Sequence, residues 1–131
     1  LLKGPDGDYA KGEKLAETMF APVKQSFRIT MEQMALLEPA LVETLSATCL
    51  DIVREGMEEV IRRGVPADAA REFLLGHLNI QLAVIFQEIP GAVFSDAANK
   101  ALDRGRKILF REDWKKIFEP DNVIEQVNDI T

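Results

Sequence analysis

From Leu41 to Val60 a mainly apolar stripe recurs every three or four positions, at Leu41, Leu45, Thr48, Cys49, Ile52, Val53, Gly56 and Val60. Asp51, Arg54, Glu55, Glu58, Arg62 and Arg63 fall mostly opposite. That period predicts an amphipathic helix with one face to cover. Its start is written upstream: Thr30 followed by Gln33 is a capping box, in which the hydroxyl accepts from a free backbone N–H and the amide reaches back to the Thr30 N–H. Gly64 is placed to end the helix as a left-handed cap. So bounded, it would span roughly 50 Å at about 1.5 Å per residue, longer than a chain of this size needs to enclose its own core. Something outside the chain is expected to share its apolar face. Pro39 removes a ladder hydrogen bond and clashes with the preceding turn, so a kink or short break is predicted near Glu38.

Pro66 suits a first helical position and Asp68 the positive end of a helix, opening a second long helix through Glu88 that Ile89-Pro90-Gly91 closes. Its middle, Phe73 to Phe86, is apolar on nearly every face and interrupted by Gly76, His77, Asn79 and Gln81. This predicts a core helix sheathed by others. Asp8 to Met19 reads as a short helix with Leu15, Ala16 and Met19 inward, and Pro22 to Ile29 as an extended link. Ser95-Asp96 caps a helix to about Leu109, Asp113 or Trp114 begins a short helical turn, and Pro120-Asp121 starts a last helix. Phe110, Trp114 and Phe118 form a packing stripe at i,i+4. No strand-rich region or repeat is present, so the predicted fold is all-α. Two long helices form a dimer seam, with shorter helices packed around them. Residues 1–29 read as a linker with a short helix, and 30–131 as the helical domain.

Length and composition predict a single domain with a compact core. A net charge of -6 argues against nucleic acid as a partner, since phosphates select basic surfaces. The longest apolar run, near Leu82 to Phe86, is far short of the roughly 18 residues of a membrane span, and no signal-peptide core precedes it. A cytoplasmic location is expected. The single Cys49 allows no internal disulfide, and with a single His it allows no Cys/His metal cluster. Beside Leu45 and Ile52 it reads as a buried small hydrophobe. The Gly/Pro-rich start without Met suggests the tail of a larger protein cut at a domain boundary.

Chemistry has few candidate carriers. His77 is the sole histidine, and Gln81 shares its helix face at i,i+4, whereas Asn79 points about 200° away. Polar groups in a buried helix need partners, because each unsatisfied one costs roughly 1–3 kcal/mol. Other helices or a ligand would supply them. Glu32, Glu38 and Glu43 form the acidic set. Glu32 sits in a first helical turn, where the dipole favours a carboxylate. Glu38, set before the proline among Leu36, Leu37, Ala40 and Leu41, would suit proton transfer if buried. Arg104, Arg106, Lys107 and Arg111 make a local basic patch, either a solvated face or an anion contact. Neither a P-loop nor a GxGxxG fingerprint occurs.

Three blocks carry a resemblance: Met31-Glu32-Gln33-Met34-Ala35-Leu36-Leu37-Glu38-Pro39-Ala40, Gly76-His77-Leu78-Asn79-Ile80, and Phe110-Arg111-Glu112-Asp113-Trp114. Together they resemble the C-terminal domain of bacterial NAD-binding proteins of the 6-phosphogluconate dehydrogenase-like, decarboxylating-dehydrogenase family, some members of which are similar to oxidoisomerases acting on apionate. The resemblance implies an N-terminal Rossmann domain that binds NAD or NADP, with this helical domain closing the substrate cleft and forming the homodimer. The wider superfamily uses an acid/base lysine on the long helix. No lysine lies between Lys24 and Lys100 here, which speaks against decarboxylation by that route. A second similarity, to the helical domain of ketol-acid reductoisomerases, matches Glu32-Gln33 and His77. Leu78 stands where a metal-binding carboxylate belongs and Arg28 replaces another acid, so no metal site is expected.

The expectation is therefore the substrate-binding and dimerisation domain of an NAD(P)-dependent oxidoreductase acting on a small sugar acid or hydroxyacid. Glu38 would do acid/base work and approach His77 near an open edge of the domain, with Glu32, His77 and Asn79 orienting the substrate. The chain alone is expected to be inactive. The rival reading is a non-catalytic helical dimerisation or interaction module whose buried polar residues specify packing.

Overall fold

The computed structural model describes residues 4–130; the first three residues of the expected linker and Thr131 lie outside them. Among the described residues there are helices and no strand, so the fold is all-α. In chain order come α1 (Asp6–Met19), α2 (Met31–Ala35), a π-helical stretch (Leu36–Ala47), α3 (Thr48–Arg62), α4 (Ala67–Ile85), α5 (Asp96–Leu109), a 3₁₀ turn (Trp114–Phe118) and α6 (Pro120–Asp129). They divide into two units, residues 4–46 with 117–130, and residues 47–116.

Helix ends follow their local chemistry. The Thr30 Oγ1 accepts from the Gln33 N–H at 3.2 Å and the Gln33 Oε1 accepts from the Thr30 N–H at 2.8 Å, completing the capping box. At the end of α3, Gly64 adopts φ 103°. Its N–H donates to Ile61 and that of Val65 to Val60, the paired bonds of a Schellman motif. Ser95 accepts from Ala98 to cap α5, and Pro120 opens α6 as its first residue. Pro66 stands one place earlier than expected, as the cap of α4.

The short break expected near Glu38 does not occur. The helical run continues there by switching to π winding over Leu36–Ala47, with Pro39 inside. A proline blocks the bond to the residue four back and collides with that carbonyl. Shifting the ladder to i→i+5 widens the turn and moves the carbonyl away, so the helical winding continues without the missing donor. The end of α4 also differs from expectation. It stops at Ile85 rather than near Glu88, because Gln87 takes the left-handed cap conformation at φ 54°. The Gln87 amide donates to the Val84 and Ala92 carbonyls at 2.8 and 3.2 Å, and Glu88 donates back to Ala83. These local bonds hold a backbone conformation that glycine would otherwise take.

Burial departs furthest from the sequence reading. Among the described residues only Pro39, Ala40, Ala70 and Val123 are buried. The expected core helix is open: Phe73 is 70% and Phe86 68% exposed, with Ile80, Leu82 and Ile85 also exposed. In α1, Leu15 and Met19 face solvent rather than inward, and so does Ala16. The reason is geometric. Within its unit α4 packs against α3, which covers one stripe of a helix that is apolar all round.

Two glycines give opposite tests of this backbone. A Cβ at Gly64 meets no atom within 4 Å, so its replacement is opposed by the backbone alone. Gly64→Ala is expected to destabilise by about 1 kcal/mol or more. Gly105→Ala, equally open but inside α5, is expected to stabilise by roughly 0.5–1 kcal/mol. Denaturant unfolding of the full-length protein checks both signs, and a neutral Gly64→Ala would contradict the strained cap.

Candidate functional site

In the first unit, the capping box sets Glu32 in the opening turn of α2. Its own backbone N–H, and then the Thr30 hydroxyl, hold the exposed carboxylate below its ordinary pKa. Glu32 lines a cavity of about 380 Å³ with Leu36, Phe118, Val123 and Val127 among its walls, an acid at the rim of an apolar pocket. Glu38 is exposed, so the burial that its expected role called for is not supplied by this unit. Glu43 lines a smaller cavity of about 280 Å³ with Pro39, Thr44, Gln126 and Asp129.

Gln126 is the residue that sequence reasoning missed. Thr44 Oγ1 donates to its Oε1 at 2.6 Å, while its Nε2 donates to the Ile117 and Asn122 carbonyls at 2.7 and 3.0 Å. One amide thus ties the π-helical stretch to α6 and to the turn before it. The available signal was a glutamine three residues after Val123, on the same α6 face. Arg28 is likewise engaged. Its guanidinium lies 3.7 Å over the Tyr9 ring, and its bond to Asp6 is the first cause of its raised pKa.

In the second unit, His77 lies on the α4 face turned to α3. Its Nδ1 is 2.8 Å from the Phe73 carbonyl, and its ring stacks on Phe73 at 4.2 Å between centroids, tilted by 32°. His77 and Gln81 line a cleft of about 690 Å³ whose other walls are apolar, including Val53, Met57 and Val60 of α3 and Leu74 of α4. The expected shared face of His77 and Gln81 is therefore present. Asn79 is exposed elsewhere on α4 and does not line the cleft. Glu38 belongs to the first unit and His77 to the second, so neither unit alone assembles that pair. The Arg111 guanidinium of the basic patch is paired with Asp113 at 3.1 Å, and Arg111 and Lys116 together lower the Asp113 pKa. Among the described residues no three His, Cys, Asp or Glu gather closely enough to hold a metal ion.

Residues 1–131 match the profile of the C-terminal domain of phosphogluconate dehydrogenase (decarboxylating). The chain belongs to that family. Similar curated proteins are the D-apionate oxidoisomerases of Cupriavidus necator and Rhizobium rhizogenes, 53% and 52% identical over the whole chain. The chain spans about half the length of these relatives, 47% of each. Among solved structures, it is similar to a semialdehyde dehydrogenase NAD-binding protein from Cupriavidus necator in complex with calcium and NAD. The TM-score is 0.95 at 53% identity, covering 100% of this chain and 47% of that one. An oxidoreductase from Jannaschia sp. matches with TM-score 0.86 at 33% identity, over 99% of this chain and 46% of that one. Family members thus share this helical architecture in proteins about twice as long.

The Glu32 environment gives a pH prediction with a definite sign. A carboxylate whose folded pKa is depressed adds stability above its unfolded value, and that contribution is lost as pH falls through the folded value. Thr30→Ala should raise the Glu32 titration midpoint toward the ordinary carboxylate value, though not fully, because the backbone N–H remains. Carboxyl carbon NMR reads the midpoint directly. An unchanged Glu32 midpoint would remove the hydroxyl from the account.

Proposed function

We propose that this chain is the substrate-binding and dimerisation half of an NAD(P)-dependent oxidoreductase acting on a small sugar acid, with D-apionate as substrate and oxidoisomerisation as reaction. The observation that carries this reading is 53% identity, without interruption of coverage, to a D-apionate oxidoisomerase. The described residues do not fit a dinucleotide: they include no strand and no glycine-rich turn to cradle a pyrophosphate. Cofactor binding accordingly belongs to the other half of the protein, and the chemistry assigned here is proton transfer and positioning. In this reading Glu38 is the acid/base group, buried only once the protein is assembled, and Glu32, His77 and Asn79 orient the substrate. No resident metal is assigned.

The homodimer is part of the proposal and rests on surface. Within the second unit large apolar side chains stay open on both long helices, Leu50, Ile52 and Val60 on α3 and Phe73, Ile80, Leu82 and Ile85 on α4. Exposed apolar surface gathered in this way marks a face that a partner covers. No helix among the described residues is long and apolar enough to cross a membrane, and the net charge is -6. The proposed setting is cytoplasmic, without nucleic-acid or membrane partners. The rival reading, an association module without chemistry, draws on the almost wholly apolar walls of the α3–α4 cleft.

Two measurements test the proposal, and the second separates it from the rival. Sedimentation of the full-length protein at micromolar concentration should give a dimer, and a stable monomer would refute that part. Full-length protein supplied with D-apionate and NAD or NADP should reduce the nicotinamide. Glu38→Gln should lower turnover by about 100-fold or more with the dimer intact. Undiminished turnover by Glu38→Gln would withdraw the acid/base assignment, and no reaction with D-apionate would withdraw the substrate.

A further inference from the structure

The Phe73 carbonyl decides which nitrogen of His77 is available. A carbonyl oxygen only accepts, so an Nδ1 lying 2.8 Å from it carries the proton. In the neutral ring the lone pair then sits on Nε2. The Phe73 ring, stacked at 4.2 Å, limits rotation of the imidazole plane. Both constraints come from one residue a helical turn back on α4. The imidazole is therefore oriented by its own helix, independently of anything else that packs on it.

The cleft beside the ring narrows what that nitrogen can meet. Its polar lining consists of His77 and Gln81, and no Asp, Glu, Lys or Arg lines it. A carboxylate placed there would lose its hydration without gaining a cationic partner, at a cost of several kcal/mol. A hydroxyl gains an acceptor and gives up little.

We propose that His77 meets the substrate as a hydrogen-bond acceptor, through Nε2 and on a hydroxyl of the sugar-acid chain, and that Phe73 is its positioning residue. The substrate carboxylate is received outside this cleft. The inference rests on the sugar-acid reading above, but its first test does not depend on activity.

Nitrogen NMR of histidine-labelled full-length protein at about pH 9, well above the ordinary imidazole value, reads the tautomer. The His77 signals, identified by their loss in His77→Gln, should show a protonated Nδ1 and an unprotonated Nε2. The reverse pattern, or an averaged one, would overturn the inference whatever the enzyme's substrate. Kinetics with D-apionate form the second arm. His77→Gln, whose amide oxygen can reach the place of Nε2, should raise KM by no more than about threefold, whereas His77→Asn, which cannot, should raise it about 10-fold. Phe73→Ala keeps the carbonyl and removes the stacked ring, so KM should rise about threefold with kcat nearly unchanged. Equal effects of the two His77 variants, or an unchanged KM in Phe73→Ala, would count against it. A shift of His77→Asn toward monomer at constant KM would assign the nitrogen to a subunit contact instead and overturn the proposal. Loss of all activity in wild-type protein would withdraw the sugar-acid reading, and with it the hydroxyl contact, while the NMR still decides the tautomer.

Discussion

The structure depends on apolar surface that its own residues do not cover. Four small residues are buried among those described, while the large side chains of α3 and α4 stay open. Ordering a residue's backbone costs about 1–2 kcal/mol, and burial of large apolar side chains is the main term that offsets it. So little burial among the described residues leaves apolar surface for a partner to cover. The helix ends, by contrast, are complete in themselves: the Thr30–Gln33 box, the Gly64 cap and the Ser95 cap all use atoms within a few residues. Local structure is self-contained and packing is not, as the proposed assembly would require.

The π-helical stretch is the main exception to purely local control. Pro39 and Ala40 are buried there, and Thr44 on the same stretch is tied through Gln126 to α6 and the preceding turn. The wider winding accommodates the proline, and the Gln126 amide holds the widened segment against another element. The winding also changes which carboxylates align. An i→i+5 ladder brings residues five apart, such as Glu38 and Glu43, toward one line, where α winding would set them on divergent faces. Substrate positioning by either acid would therefore depend on a backbone register that Pro39 imposes.

What the sequence made legible was whatever a few consecutive residues decide. Thr30, Gly64, Ser95 and Pro120 each marked a boundary that the structure keeps. Gln87 did not announce itself, because a non-glycine residue in the left-handed region depends on side-chain bonds that no propensity encodes. The Phe73 to Phe86 pattern was read as a core helix, since periodicity records that a face is to be covered but not whose atoms cover it. The candidate site was legible to the same degree. Glu32 and His77 border cavities within their own units, and the His77–Gln81 face was visible in the spacing. The partnership of Gln126 with Thr44, 82 positions apart, was not, because it requires the tertiary fold.

The disposition of charge bears on how an anionic substrate could be held. Arg28 lies on Asp6 and Tyr9, Arg54 bridges Asp51 and Glu58, Arg62 and Arg63 share Glu59, and Arg111 holds Asp113. These guanidinium groups already have carboxylate partners, and redirecting one to a ligand would strand an acid. Arg28 and Asp6 together line one cavity, whereas the groups that border the cavities at Glu32, Glu43 and His77 are of another kind: an imidazole, amides and carboxylates, which accept from or donate to neutral hydroxyls. A sugar acid offers both a charge and a chain of hydroxyls. Under the proposed reading these three cavities match the hydroxyls, and the charge would be met outside them, in the remainder of the protein or in a second copy. That division would make the two ends of one small substrate a link between separately folded parts, with closure of the site coupled to binding.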